Sequence, residues 1–193
     1  MIFRAGGASL LIMRLALIAT LAAGPAFATA CPEPPDHAAA LSDLITAARE
    51  APDETLGRTL SNDMWALWAD APDARAQELL DTAMARREAY DYDAAITAAE
   101  ALITYCPDYA EGYNQRAFIH FLRQEFEAAL PDLERTLELS PRHVAALTGK
   151  ALTLHALGRN AEAALALRAA LEMNPWLGER HLLPVLEASE QEL

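Results

Sequence analysis

From residue 36 onward, apolar positions recur every three to four residues, the spacing of helices, and nowhere with the strict two-residue alternation of strands. The segments read as pairs of helices joined by short polar turns. Three of these pairs keep a period of 34 residues. Alanine returns at Ala83, Ala117 and Ala151, and again at Ala95, Ala129 and Ala163; proline closes each period at Pro107, Pro141 and Pro175. Larger side chains fill the layers between: Leu79, Tyr113 and Leu147 in one column, Ile103, Leu137 and Leu171 in another. Paired small columns let two helices approach closely. A hairpin of this composition cannot bury its apolar face alone, so neighbours must stack.

The period divides the chain into 76–109, 110–143 and 144–177. Helices are expected over 76–89 and 92–105, over 110–123 and 126–139, and over 144–157 and 160–173. The turns fall at Tyr90-Asp91, at Gln124-Glu125 and at Gly158, whose freedom at positive φ suits a left-handed cap. Each second helix should stop before its proline, because the residue preceding proline is pushed out of the helical region. Upstream, 36–49 and 53–69 form a further pair. Asp36 can cap the first of these, and Pro52-Asp53-Glu54 opens the second. The region 36–75 therefore reads as a degenerate N-terminal repeat. Trp65 and Trp68 share a face of its second helix and are expected to cover the exposed end of the stack. Residues 178–193 supply a polar C-terminal cap, helical from Leu182 to Leu193 and interrupted at Pro184.

The first 30 residues differ in kind. They contain Arg4 and Arg14, no acid, a short apolar core from Leu15 to Leu21, and small residues through Ala30. This is the pattern of a secretory signal peptide, too short and too interrupted by Gly24 and Pro25 for a membrane span. Met13 is an alternative start. Cleavage after Ala28 or Ala30 is expected, followed by a Pro-rich linker at 31–35. Removing Arg4 and Arg14 leaves 28 acids against 13 bases, a balance that disfavours nucleic acid as a partner.

Two cysteines remain, Cys31 and Cys106. They are too far apart for a CxxC redox motif, and the five histidines do not cluster at ligand spacing, so no metal site is expected. In an exported chain an even pair is a disulfide candidate, and both cysteines are expected at one edge of the stack. The disulfide is the favoured reading. The competing one takes Ala28-Thr-Ala30-Cys31 as similar to a bacterial lipoprotein junction, with Cys31 lipidated and Cys106 a buried thiol; membrane attachment is expected only in that case.

The columns together resemble the tetratricopeptide repeat: a large residue at place four, small ones at eight and twenty, an aromatic near seventeen (Tyr92, Phe126) and proline at thirty-two. The resemblance covers 76–177 and implies an all-α fold, a right-handed superhelical α-solenoid. It departs at place seven, where leucine is usual and Thr82, Arg116 and Lys150 stand. The resemblance also implies a concave groove lined by the first helices, here Leu80, Met84 and Arg87, then Asn114, Phe118 and Phe121, then Thr148, Leu152 and His155. That groove is either open to a peptide or partly filled by the chain's own N-terminal helix pair. Family members that clamp a peptide carboxylate do so with basic and amide side chains at sites that hold Leu80, Met84, Ala145 and Gly149 here, so an Hsp70/Hsp90-type adaptor is not expected. Arg86, Arg116, His120 and Lys150 either pair with nearby acids such as Asp81, Glu111 or Asp132, or form a recognition stripe centred on Arg116.

No nucleophile elbow, P-loop, H-E-x-x-H or convincing Ser-His-Asp set is present. The resulting expectation is a non-enzymatic, cofactor-free, periplasmic scaffold that binds a protein or peptide. The alternatives are a lipid-anchored envelope-assembly scaffold and an accessory factor of a periplasmic enzyme complex.

Overall fold

In the computed structural model, residues 1–2 and 30–188 are described. The leader assigned to 1–30, its cleavage sites and the choice of Met1 or Met13 fall, apart from the ends of that segment, outside the described residues, as does the cap beyond 188. Regular structure among the described residues is helical. Helices α1 (Ala38–Glu50) and α2 (Glu54–Trp68) form a first hairpin. Helices α3 (Ala74–Glu88) and α4 (Tyr92–Tyr105), α5 (Ala110–Leu122) and α6 (Phe126–Leu139), and α7 (Val144–Ala156) and α8 (Asn160–Met173) form three more. A 3-10 turn at Gly178–Leu182 leads into α9 (Leu183–Ala188). Pro184 sits in the first turn of α9, where a missing N–H leaves no helical bond unmade.

The three repeats turn by one device. Tyr90, Gln124 and Gly158, each 34 residues from the next, have φ of 61°, 61° and 73°. The residue after each donates its N–H to a carbonyl five residues back: Asp91 to Arg86, Glu125 to His120 and Arg159 to Leu154. This is the Schellman closure, which satisfies carbonyls left over at a helix end. The six period alanines are buried, so the helices of each hairpin approach closely along these columns. Carboxylates cap helix starts elsewhere: Asp53 accepts from the Leu56 N–H at 3.0 Å and Asp73 from the Ala76 N–H at 2.8 Å.

The first hairpin does not simply lengthen the stack. Leu41, Ile45, Ala48, Leu60 and Met64 share one buried cluster with Val144 and Ala170 of the third repeat, flanked by Leu147, Met173 and Trp176. At the tip of the hairpin, the Trp176 indole N–H donates to the Ala51 carbonyl at 3.1 Å. The buried Asn174 amide donates to the Gly57 carbonyl at 3.2 Å and to Ser61 Oγ at 2.7 Å. Gly57 is required at this crossing, since a Cβ there would lie 2.3 Å from Trp176 Cβ. Near the other end of α2, Trp68 stacks on His143 with ring centroids 4.0 Å apart, and the Tyr109 hydroxyl donates to the Trp68 carbonyl at 2.7 Å. The hairpin thus runs along the loops that carry Pro107, Pro141 and Pro175. Trp65 and Trp68, expected over an open end of the stack, instead face its interior edge. Glycine at position 57 and asparagine at 174 provide the close crossing and the polar latch that hold them there.

Cys31 and Cys106 form a disulfide, with Cα atoms 5.2 Å apart. A sulfur in this bond has no valence for a lipid thioether, so of the two readings of Cys31 the structure contains the first. No helix among the described residues is long and apolar enough to cross a membrane.

Candidate functional site

The first helices of the second and third repeats leave a cavity of about 410 Å³ between them and the N-terminal hairpin. α5 contributes Asn114, Gln115, Ala117, Phe118 and Phe121; α7, preceded by the period's proline turn, contributes Ala145, Thr148, Gly149, Leu152 and Thr153. Leu133 of α6 forms part of the floor. It reaches the cavity because Gly149 has no side chain: a Cβ there would lie 3.1 Å from Leu133 Cδ2. Three further walls come from distant segments, with Trp65 from α2, Arg87 from α3, and Leu177 and Glu179 after α8. Phe118 is 44% exposed and Trp65 40%, large apolar side chains left half open on a concave face.

One cation enters this apolar surface. The Arg87 guanidinium lies 4.9 Å from the Phe118 ring centroid, a cation–π contact, and donates to the Gln115 carbonyl oxygen. Burial pulls its pKa below the ordinary arginine value, while Glu88 and Glu111 oppose the shift. Behind Arg87 lies a buried polar network. The Gln115 amide donates to Glu111 Oε1 at 2.5 Å, the Asn114 amide to both Glu111 oxygens at 3.1 and 3.2 Å, and His143 Nε2 to Glu111 Oε2 at 2.9 Å. The Ala146 N–H must be a donor, and it points at His143 Nδ1 from 3.2 Å, so the ring proton facing Glu111 is on Nε2. A fully buried carboxylate with three donor groups is a satisfied anion, and it fixes where α5 meets the loop before α7. Nearby, burial and the carboxylates of Glu111, Asp70 and Asp81 push the Tyr109 phenol well above its ordinary range, so it stays a hydrogen-bond donor.

The expected groove residues divide. Arg87, Asn114, Phe118, Phe121, Thr148 and Leu152 line the cavity together. Leu80 does not: it is fully buried in the core cluster of the first repeat, against which Met84 also packs. His155 lies outside the cavity and shares a 2.8 Å hydrogen bond with Asn160. Arg116 and Lys150, one position before the small column, point instead to the second helices. Arg116 makes two 2.7 Å bonds to Asp132, a carboxylate only 9% exposed, with Glu100 at 4.0 Å. These bonds raise the Arg116 pKa against the opposing effect of burial. Lys150 pairs with Glu134 at 3.2 Å, His120 with Glu125 at 2.7 Å and Arg86 with Asp91 at 3.2 Å. Of the two readings of these cations, the structure contains the pairing with nearby acids. The two readings of the groove prove compatible, since the N-terminal hairpin supplies a wall and a cavity remains.

Sequence reasoning missed Trp65, Gln115, Leu177 and Glu179 in the wall and the Glu111–His143 pair behind it. The signal for the pair was present: a lone acid in a column otherwise holding Gln77 and Ala145, and a histidine in a column otherwise holding Tyr109 and Leu177. Trp65 carried no such signal, because only the folding-back of α2 brings it there.

These elements define an α-helical repeat array with an apolar concave site. A model of the tetratricopeptide repeat matches residues 144–175. A TPR repeat-containing protein of Rhizobium etli is 28% identical over 120 residues, covering 62% of this chain and 59% of that protein, so the chain spans about three fifths of that relative's length. The TPR2B domain of yeast Sti1, in its pHsp70 complex, is 26% identical with a TM-score of 0.54 over 62% of this chain and 99% of that one. The first TPR of Spaghetti (RPAP3), bound to the HSP90 peptide SRMEEVD, has a TM-score of 0.59 at 21% identity, covering 62% of this chain and 96% of that one. MamA of Desulfovibrio magneticus RS-1 has a TM-score of 0.56 at 16% identity, covering 82% and 88%. The chain is thus similar to tetratricopeptide-repeat proteins and shares their fold, an all-α helical repeat array.

Proposed function

We propose that this protein is an exported, periplasmic scaffold that binds an apolar segment of another protein or peptide in the cavity between α5, α7 and α2. The observation that carries the reading is the half-open pair Phe118 and Trp65, set in a concave wall with few polar groups. Side chains of this kind, exposed in a concavity and not on a convex surface, are the anchors of helix-in-groove and extended-peptide recognition. Two similar structures, those of Spaghetti bound to an HSP90 peptide and of Sti1 in its pHsp70 complex, support a binding role for this array. The chain departs from Hsp70/Hsp90 adaptors in chemistry. Ala145 and Gly149, in the wall, and Leu80, in the core, offer no charge to a terminal carboxylate. Export is supported by the leader's sequence pattern and by a disulfide, which persists in oxidising compartments.

Capture from a periplasmic extract tests the binding reading. Wild-type protein and Arg116→Ala should retain the same partner, while Phe118→Asp and Leu152→Asp, with unchanged far-ultraviolet circular dichroism, should lose it at least about tenfold. Equal retention by the Phe118 variant would remove the cavity from the reading. Fusion of residues 1–35 to a phosphatase that is active only after export tests the location.

A further inference from the structure

The N-terminal hairpin is held at three places. The end of α2 is rooted in the first repeat by the main chain through 69–73. Its tip rests on the third repeat through Ala51, Gly57, Asn174 and Trp176. The start of α1 is rooted in the first repeat by the Cys31–Cys106 bond. Between that bond and α1 lie only residues 32–37, three of them prolines, a linker too stiff to take up slack. The hairpin is thus a strap laid across all three repeats, and one of its roots is covalent chemistry that can be undone. We infer that this disulfide governs the seating of the strap, and through Trp65 the completeness of the binding cavity, making the site conditional on redox state. The statement about the cavity rests on the binding reading above; the statement about the strap does not.

The reaction is thiol–disulfide exchange with a dithiol reductant. Cys106 is buried, whereas Cys31 is partly open, so the attacking thiolate meets Cys31 Sγ, forms a mixed disulfide there and expels the Cys106 thiolate, which takes up a proton. The second thiol of the reductant then displaces Cys31 as thiolate and closes the oxidised ring. Two hydrogens pass to the protein, and the start of α1, whose far end stays joined to α2 by the main chain, is left held by packing and by single contacts such as the His37–Asp70 pair at 2.8 Å and the Arg142 bond to the Ala38 carbonyl at 3.0 Å. Losing the covalent root lowers the effective concentration of the strap at its seat.

The chain reports on itself. Its three tryptophans, Trp65, Trp68 and Trp176, all lie where the strap meets the array. Protein expressed from the full chain and purified after export is compared oxidised, reduced with dithiothreitol, and as Cys31→Ser. Reduction should shift tryptophan emission to the red and accelerate amide exchange over 38–50 by roughly tenfold, with exchange in α5 and α6 unchanged. The small apolar fluorophore N-phenyl-1-naphthylamine, binding the oxidised protein, should bind the reduced protein roughly tenfold more weakly. Gly57→Ala tests the same idea without touching sulfur: it raises helix propensity yet wedges Trp176, and should reproduce the emission shift with the disulfide intact. Unchanged emission and exchange on reduction would overturn the strap. A fluorophore that ignores the oxidised cavity, while emission and exchange respond to reduction, would overturn the binding reading and leave the strap standing.

Discussion

Glu111 and His143 are the side chains whose neighbours matter most. Each is fully buried, and each completes the other's hydrogen bonds. Removing one partner strands a polar group away from water, so Glu111→Ala should lower unfolding free energy by about 3–5 kcal/mol in urea titration, far more than an average surface truncation. At Gln124 the sign is reversed. Its φ of 61° is a conformation that glycine adopts without steric penalty, and the side chain is exposed. Gln124→Gly should therefore stabilise by roughly 0.5–1 kcal/mol, read as a rise in the urea midpoint, whereas Gly158→Ala at the equivalent place should destabilise by a similar amount. The left-handed cap was legible at Gly158 because glycine announces it. It was legible at Tyr90 and Gln124 only through the period, since neither residue type signals positive φ. The Glu111 network was not read at all. Both residues stand out in their columns, but only the placed elements show that the two side chains are buried together and meet.

At the scale of elements, helix starts and pairings are held by charge. Asp73 caps α3 through the Ala76 N–H and accepts from the Tyr105 hydroxyl at 2.7 Å, which ties α3 to the end of α4. These bonds hold its carboxyl below the usual aspartate range. A depressed value means that the contribution is complete above the ordinary aspartate pKa and is lost as pH falls through the lower folded one. The difference in urea midpoint between wild type and Asp73→Ala should thus be constant near neutrality and shrink as pH falls below about 4. A difference independent of pH would mean that the ionised carboxylate is not what caps the helix. Arg116 joins α5 to α6 through Asp132, where the family pattern would place leucine. Arg116→Ala should cost about 1–3 kcal/mol in stability while leaving partner capture unchanged, because the guanidinium is absent from the cavity wall. Helix existence and order were readable from spacing alone, and the ends differ from the expected ones by a residue or two. The direction of Arg116 was not, since either an acid on α6 or a partner would satisfy the same charge.

For the whole molecule, the decisive arrangement is the hairpin lying along the proline-bearing loops, closed by a bond between residues 75 apart in sequence. A loop of that size restricts the unfolded chain enough to stabilise by about 4–5 kcal/mol in the entropy account. Reduction should therefore lower the urea midpoint and broaden the spread of exchange rates between α1 and the repeats. Identical urea curves in both redox states would show that packing alone seats the hairpin. The 34-residue period by itself determined the three repeats, their turns and the close alanine columns, because each of these depends on neighbours in sequence or on an identical neighbour one period away. The resemblance to the repeat family also implied part of the cavity wall, through Arg87, Asn114, Phe118, Phe121, Thr148 and Leu152. Only the tertiary structure decided where α1 and α2 go, what Trp65 faces and which cations are already paired. Those outcomes depend on single contacts, some between segments more than 100 residues apart, such as Gly57 beneath Trp176, and some between neighbouring helices, such as Arg116 on Asp132. No periodicity encodes a contact that occurs once.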